Sequence, residues 1–253
     1  MTAGLMQTPP LQIIDILKFA SKAHAKRQIV SRLVDEPAWR YDYAGALKRA
    51  AQAANALKRL GIKAGDRVSS LAWNTHRHFE LFYAVPGIGA VLHTANPRLF
   101  DEQIVYTINH AESSVLLFDR NFAGVVERIA PQLTSVKTFV MLSDEPRLLP
   151  GAVEAVSYEC LLDKEPAEIA WPVVDENLGA FLCYTSGTTG DALLFPLSRD
   201  RLGLAVCCAD QWLQAGVPVR QDGWREPAGA DRQGGRHVLG RRADDLDDVS
   251  RAS

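Results

Sequence analysis

Residues 180–200 read AFLCYTSGTTGDALLFPLSRD. A short apolar run opens into a loop of Thr, Ser and Gly. The flanking stretch LGAFLCY, residues 178–184, predicts a buried strand. The loop that follows has the composition of an anion cradle. Gly187 and Gly190 let the backbone take positive φ and approach a ligand closely. Consecutive N–H groups then converge on one concavity, and Thr185, Ser186, Thr188 and Thr189 add hydroxyl donors. A strand ending in such a loop places it at a sheet edge, where α/β proteins bind ligands. A polar Gly-rich turn would have the same six residues, so the motif is weak by itself. It lacks the internal Gly-Lys of a P-loop, and no lysine occurs after Lys164.

Upstream of this strand the hydrophobic pattern alternates. The segments DRVSSLAW, VLHTAN, SVLLFD and KTFVML are near-continuously apolar, as strands covered on both faces are. Between them, HFELFYAVPGIGA (helical up to Pro86), DEQIVYTINHAE and FAGVVERIAPQL have helical character. Strands separated by helices of about 10–15 residues argue for parallel β-α-β units. Residues 40–145 are therefore expected to form a parallel sheet with helices on both faces. Before them, a helix is expected within 11–25, then two short strands around a turn at Asp35-Glu36-Pro37. A longer helix should follow, capped by Asp42 and ended by Gly61, with Leu47, Ala50, Ala51, Ala54, Leu57 and Leu60 on one apolar stripe.

Bulk properties narrow the function classes. The chain has 253 residues, 47% of them hydrophobic and 23% charged, with a formal net charge of −2. This is a globular composition with no basic surplus for general nucleic-acid binding. The four cysteines form no C-x-x-C pair, so neither a zinc site nor a disulfide framework is expected. No apolar run reaches the length of a membrane span. The N-terminus has no basic region before an apolar core, and a cytoplasmic location is expected.

Other residues invite chemistry. His76, Arg77 and His78 suggest a metal, but alternate helical residues do not share a face. His93 is expected as a satisfied polar residue at a strand end, with a place beside a substrate channel as the alternative. Arg98 is expected in a structural role, and Cys183 as a small apolar side chain in a buried strand.

The loop YTSGTTG, residues 184–190, resembles the phosphate loop of the AMP-forming acyl-CoA synthetases, the adenylate-forming superfamily that includes luciferase. Residues 42–119 resemble the start of a fatty-acyl-CoA synthase. WNTHRH (73–78) and HTANPRL (93–99) are the most specific parts. The nearest branch is that of medium-chain acyl-CoA ligases and methylmercaptopropionate–CoA ligases. The resemblance covers about residues 10–190. It implies the α/β, parallel-sheet N-terminal part of an adenylate-forming ligase domain. It also implies a two-step reaction: a carboxylic acid attacks the α-phosphorus of ATP, then the CoA thiol attacks the acyl-adenylate. ATP, Mg²⁺ and CoA are implied as substrates and cofactor. Thr185, Ser186, Gly187, Thr188, Thr189 and Gly190 would hold the ATP β- and γ-phosphates.

The departures are equally specific. The family continues from this loop into Pro-Lys-Gly, whereas residues 190–196 here read GDALLFP. No position matches the family's acidic magnesium ligand, its ribose-binding aspartate or its C-terminal lysine. Residues 191–253 contain no Lys, Ile, Tyr, Asn, Met or Thr, but nine Arg. Back-translated from Leu197 and read from the second base of each codon, this segment permits a text beginning FHATAWG, which resembles a later part of the family. Trp212 and Trp224, each with a single codon, force glycine where the family pattern accepts it. The expectation is a partial AMP-binding domain over 10–190, followed by a frameshifted, mostly irregular tail over 191–253 with little order after about residue 215. Two functions follow: an impaired, truncated acid–CoA ligase, or a non-catalytic remnant of a disrupted gene with at most weak nucleotide binding. A sheet cut short in this way would also leave apolar surface uncovered and favour self-association.

Overall fold

The structure is a computed structural model that describes residues 9–32, 37–144, 147–149, 153–185 and 193–194. Its centre is a seven-stranded sheet of β3 (Arg67–Leu71), β4 (Val91–Thr94), β5 (Val115–Asp119), β6 (Thr138–Leu142), β7 (Arg147–Leu149), β8 (Val153–Ser157) and β9 (Phe181–Leu182). The spatial order is β7-β8-β6-β5-β3-β4-β9. All neighbours run parallel except β7, which pairs antiparallel with β8 at one edge.

The chain reaches β3 through α1 (Ile13–Ala23), an antiparallel pair of β1 (Gln28–Ser31) and β2 (Trp39–Asp42), and α2 (Tyr43–Arg59). Asp42 caps α2, its Oδ1 accepting from the Gly45 N–H at 2.7 Å. Gly61 ends the turn beyond α2 at φ +90°, a backbone that glycine adopts without strain. The expected turn at residues 35–37 lies mostly outside the described residues. Helices α3 (His76–Gly87), α4 (Asp101–His110) and α5 (Ala123–Ile129) connect successive strands of the sheet, and the short α6 (Tyr158–Leu162) follows β8. Helix α3 passes through Pro86 instead of stopping at it. Pro86 lies in the last turn, so only one intrahelical bond is forgone.

The strands are apolar throughout because each face has its own helices. Leu117 and Val115 point to the side packed by α2, α3 and α6, with Leu57, Leu81 and Leu162. Leu116 and Phe118 point to the other side, against Ile104 and Ile108 of α4 and Val126 and Ile129 of α5. Such full burial is worth about 1.5–3 kcal/mol for each large side chain. Helix α1 forms an outer layer, with Ile14 and Leu17 packed on Ala46 and Ala50 of α2. The parallel sheet with helices on both faces, expected over 40–145, is thus present. It extends beyond that range to β7, β8 and β9.

After α6 the chain runs back along the helical face without regular structure. Trp171 packs over the end of α3, where a Cβ on Gly87 would lie 2.5 Å from its ring. A side chain there would force one of the two to move.

Candidate functional site

Parallel strands put their carboxyl ends at one edge of the sheet, which is where open α/β sheets take ligands. Phe181 and Leu182 of β9 pair with Leu92 and His93 of β4. The chain therefore leaves β9 at that edge, just ahead of the residues that the sequence marks for phosphate. The strand is shorter than the expected 178–184. After Cys183, residues Tyr184–Thr185 form β10, which pairs antiparallel with β11 (Leu193–Leu194) and not with the sheet. Of the six candidate residues, the backbone of Thr185 is described in β10. Ser186, Gly187, Thr188, Thr189 and Gly190 lie outside the described residues, as does the tail beyond residue 215.

Cys183 and Tyr184, the residues between β9 and Thr185, contact Thr94, His93 and His110. The Cys183 Sγ lies 3.5 Å from Thr94 Oγ1. It is half-buried and polar in its contact, where a buried apolar role was expected. The Tyr184 hydroxyl lies 2.7 Å from His110 Nδ1. Its ring meets His93 in a T-shaped contact at 5.1 Å. Burial pushes the Tyr184 phenol up from its usual range.

His93 differs from its expectation. It is the third of four residues in β4, fully buried and not at the strand end. Its Nδ1 lies 2.7 Å from Ser69 Oγ, which in turn donates to Ser113 Oγ at 2.7 Å. Its Nε2 has no partner among the described residues. Burial holds the imidazole neutral, with its pKa lowered to about 3.

The histidines of α3 part as helical geometry requires. His76 stacks on Trp39 at 4.8 Å, and its backbone N–H donates to Ser31 Oγ. His78 turns to Ser70 Oγ at 3.0 Å and to the Phe82 ring. Arg77 is 3% exposed; its guanidinium donates to Glu159, Asp144 and the Leu142 carbonyl. Arg98 is exposed in the turn after β4, its backbone N–H donating to Asn96 Oδ1. Among the described residues no group of three or more His, Cys, Asp or Glu is placed to hold a metal ion. No step is assigned to Mg²⁺ on these side chains.

One constellation escaped the sequence reading. Glu80, fully buried on α3, accepts from Arg49 Nε at 2.7 Å and from the Tyr158 hydroxyl at 2.9 Å. Arg49 also pairs with Glu159, and its guanidinium lies over the Trp39 ring. Burial pushes the Glu80 carboxyl up, against the opposing pull of Arg49. The group ties α2, α3 and α6 together; it does not open to a ligand. The signal for it was a lone glutamate inside the apolar run HFELFYA.

A parallel α/β sheet, with a Thr/Ser/Gly segment following a strand's carboxyl end in the sequence, is the setting in which open α/β sheets take ligands. The family model for AMP-binding enzymes matches residues 18–200, and the chain belongs to that family. It is similar to the 3-methylmercaptopropionyl-CoA ligase of Ruegeria lacuscaerulensis, 42% identical over 191 residues, which cover 74% of this chain and 35% of that protein. The medium-chain-fatty-acid–CoA ligase of Ectopseudomonas oleovorans is 40% identical, with the same two shares covered. The chain therefore spans about a third of the length of the curated relatives it matches. A crystal structure of an anthranilate CoA ligase with anthranoyl-AMP shares the fold, with a TM-score of 0.68 at 20% identity. The match covers 79% of this chain and 37% of that one.

Proposed function

We propose that the chain carries the phosphate-binding part of an ATP-dependent acid–CoA ligase and is impaired in catalysis. The observation that supports this is the position of YTSGTTG: it follows a strand at the carboxyl edge of the sheet, inside the segment that matches the family. Thr185, Ser186, Gly187, Thr188, Thr189 and Gly190 would receive the β- and γ-phosphates of ATP through backbone N–H and hydroxyl donors. The acid, ATP and CoA are the substrates of that reading, and Mg²⁺ would arrive held largely by phosphates and water. A cytoplasmic location, and self-association through exposed side chains such as Phe19 and Phe100, belong to the same proposal.

The impairment rests on residues 191–253, which lack any lysine. Donors that bind ground state and transition state equally do not accelerate a reaction. Losing one group that stabilises the transition state commonly costs about 10²–10³ in rate. Acid-dependent ATP–pyrophosphate exchange on the purified chain should therefore be absent, while pyrophosphate binding persists and weakens in Ser186→Ala. Robust exchange, lost in Ser186→Ala, would overturn the impairment and leave an active ligase. The second reading, a remnant of a disrupted gene, is favoured by the shifted-frame text after Leu197. Sequencing the locus beyond codon 190 tests it, and absence of a ligase continuation in every frame would sink it.

A further inference from the structure

Helix α1 has an apolar crest where the outer side of a surface helix is ordinarily polar. We propose that this crest and the basic residues beside it form a docking surface for an anionic lipid bilayer, on which the chain rests without crossing it. The inference does not depend on the phosphate-binding reading of residues 185–190.

Three observations meet on α1. First, the helix is already anchored by its inner side: Ile14 and Leu17 are each 1% exposed and pack on Ala46 and Ala50 of α2. Second, Ile16 and Phe19, one turn apart, are 55% and 67% exposed. At about 3.6 residues per turn, Phe19 falls opposite Ile14 and Leu17, on the outermost line of the helix. Third, the charge beside this crest is of one sign. From Gln12 to Arg27 the one acidic residue is Asp15, and it is bonded to Lys18 at 2.8 Å. Lys22 in the last turn, with Lys26 and Arg27 just beyond it, is exposed. Among the described residues no carboxylate pairs with these three. The chain as a whole has a net charge of −2, so the basic cluster is a local feature. Phe100 is the contrast: it is 80% exposed, but Asp101 and Glu102 follow it.

A bilayer fits this chemistry better than a folded partner. Two apolar side chains on a convex helix do not supply the complementary surface of roughly 1,000 Å² that a specific protein interface needs. A lipid interface adapts to a convex wedge. Ile16 and Phe19 would enter the boundary between headgroups and acyl chains, while the lysine stems lie along it and keep their ammonium groups among the phosphates. Lys22, Lys26 and Arg27 would each be drawn by the negative surface potential, over a short range that salt shortens further. So few anchors give weak, reversible binding. Among the described residues no helix is long and apolar enough to cross a membrane.

The test is flotation of the purified full chain with vesicles of phosphatidylglycerol and, separately, of phosphatidylcholine. Binding is expected to phosphatidylglycerol, and it should fall as salt is raised. Phe19→Ser should weaken it about tenfold, for an aromatic ring that no longer leaves water. Lys22→Gln and Lys26→Gln should each weaken it about fivefold. These side chains are on the surface, so the urea-unfolding midpoints should stay at the wild-type value, which separates lost docking from a lost fold. Phe100→Ser removes a more exposed ring that has no basic border, and it should leave binding unchanged. Equal binding to both lipids, or an equal loss in Phe100→Ser, would show general stickiness and overturn the proposal. So would a Phe19→Ser chain that floats as well as wild type. Association without vesicles that depends on Phe19, with no flotation, would assign the crest to a second copy of the chain and overturn it likewise.

Discussion

His76, His78 and His93 are all buried, and burial moves each imidazole down, to about 2, about 4 and about 3. The unfolded chain takes up these protons near pH 6.5, while the fold refuses them until far lower pH. Between those limits the unfolded state binds more protons, so stability falls as pH falls. It is fully present above about 6.5 and is withdrawn at about 1.4 kcal/mol per pH unit for each histidine. Glu80 works in the opposite sense, since its carboxyl is raised in the fold. The difference between wild type and His78→Asn isolates one group. Urea unfolding between pH 6 and 5 should show a slope shallower by nearly one proton in the variant, and equal slopes would refute the assignment. None of this was legible from the sequence. HRH suggested a shared ligand set, and only the helical period warned against it. Which way each ring faces depends on Trp39, Ser70 and Ser69, which come from three other strand positions.

Elements were read more easily than their edges. The strands β3 to β6 and helices α2 to α5 announce themselves because both sheet faces are covered and the helices have one apolar side. The short elements do not. Residues 147–149 and 153–157 form β7 and β8 at one edge, where few residues carry any period. The strand expected at 178–184 has only two sheet residues, and beyond it Tyr184 pairs with Leu194 of β11 while its hydroxyl meets His110. Helix packing also has a polar clamp that periodicity hides. Glu80, Arg49 and Tyr158 join α2, α3 and α6 away from water. Removing Glu80 leaves Arg49 only Glu159 and takes the acceptor from the buried Tyr158 hydroxyl. Glu80→Ala should therefore cost about 3–5 kcal/mol in urea unfolding. The double variant Arg49→Met with Glu80→Leu should lose less than either single removal, since apolar replacement of a buried pair is often near neutral. Additive losses would show that the pair does not act as a unit.

At the scale of the molecule, the family and the sheet could be read from the alternation and from YTSGTTG, whereas the site could be read only as a motif. Ser186 to Gly190 lie outside the described residues, and the contacts around Tyr184, which come from His93 and His110, have no local signature in the sequence. The strand order also has a temporal side. The core strands β3 to β8 lie within a continuous stretch, but β9 returns to pair with β4 after almost ninety residues. At about 5–20 residues per second of synthesis, the outer edge of β4 waits several seconds on the ribosome for its partner. In that interval Leu92 and His93 offer unpaired backbone groups to any extended segment nearby. Nascent chains arrested before residue 181 should be caught there by a chaperone-type holdase, and those arrested well after residue 220 should be released. Equal capture of both would show that β9 is not what closes the edge. Among the described residues, the strand that leads into YTSGTTG is thus also the last stitch of the sheet, and its late arrival sets how long the newborn protein stays sticky.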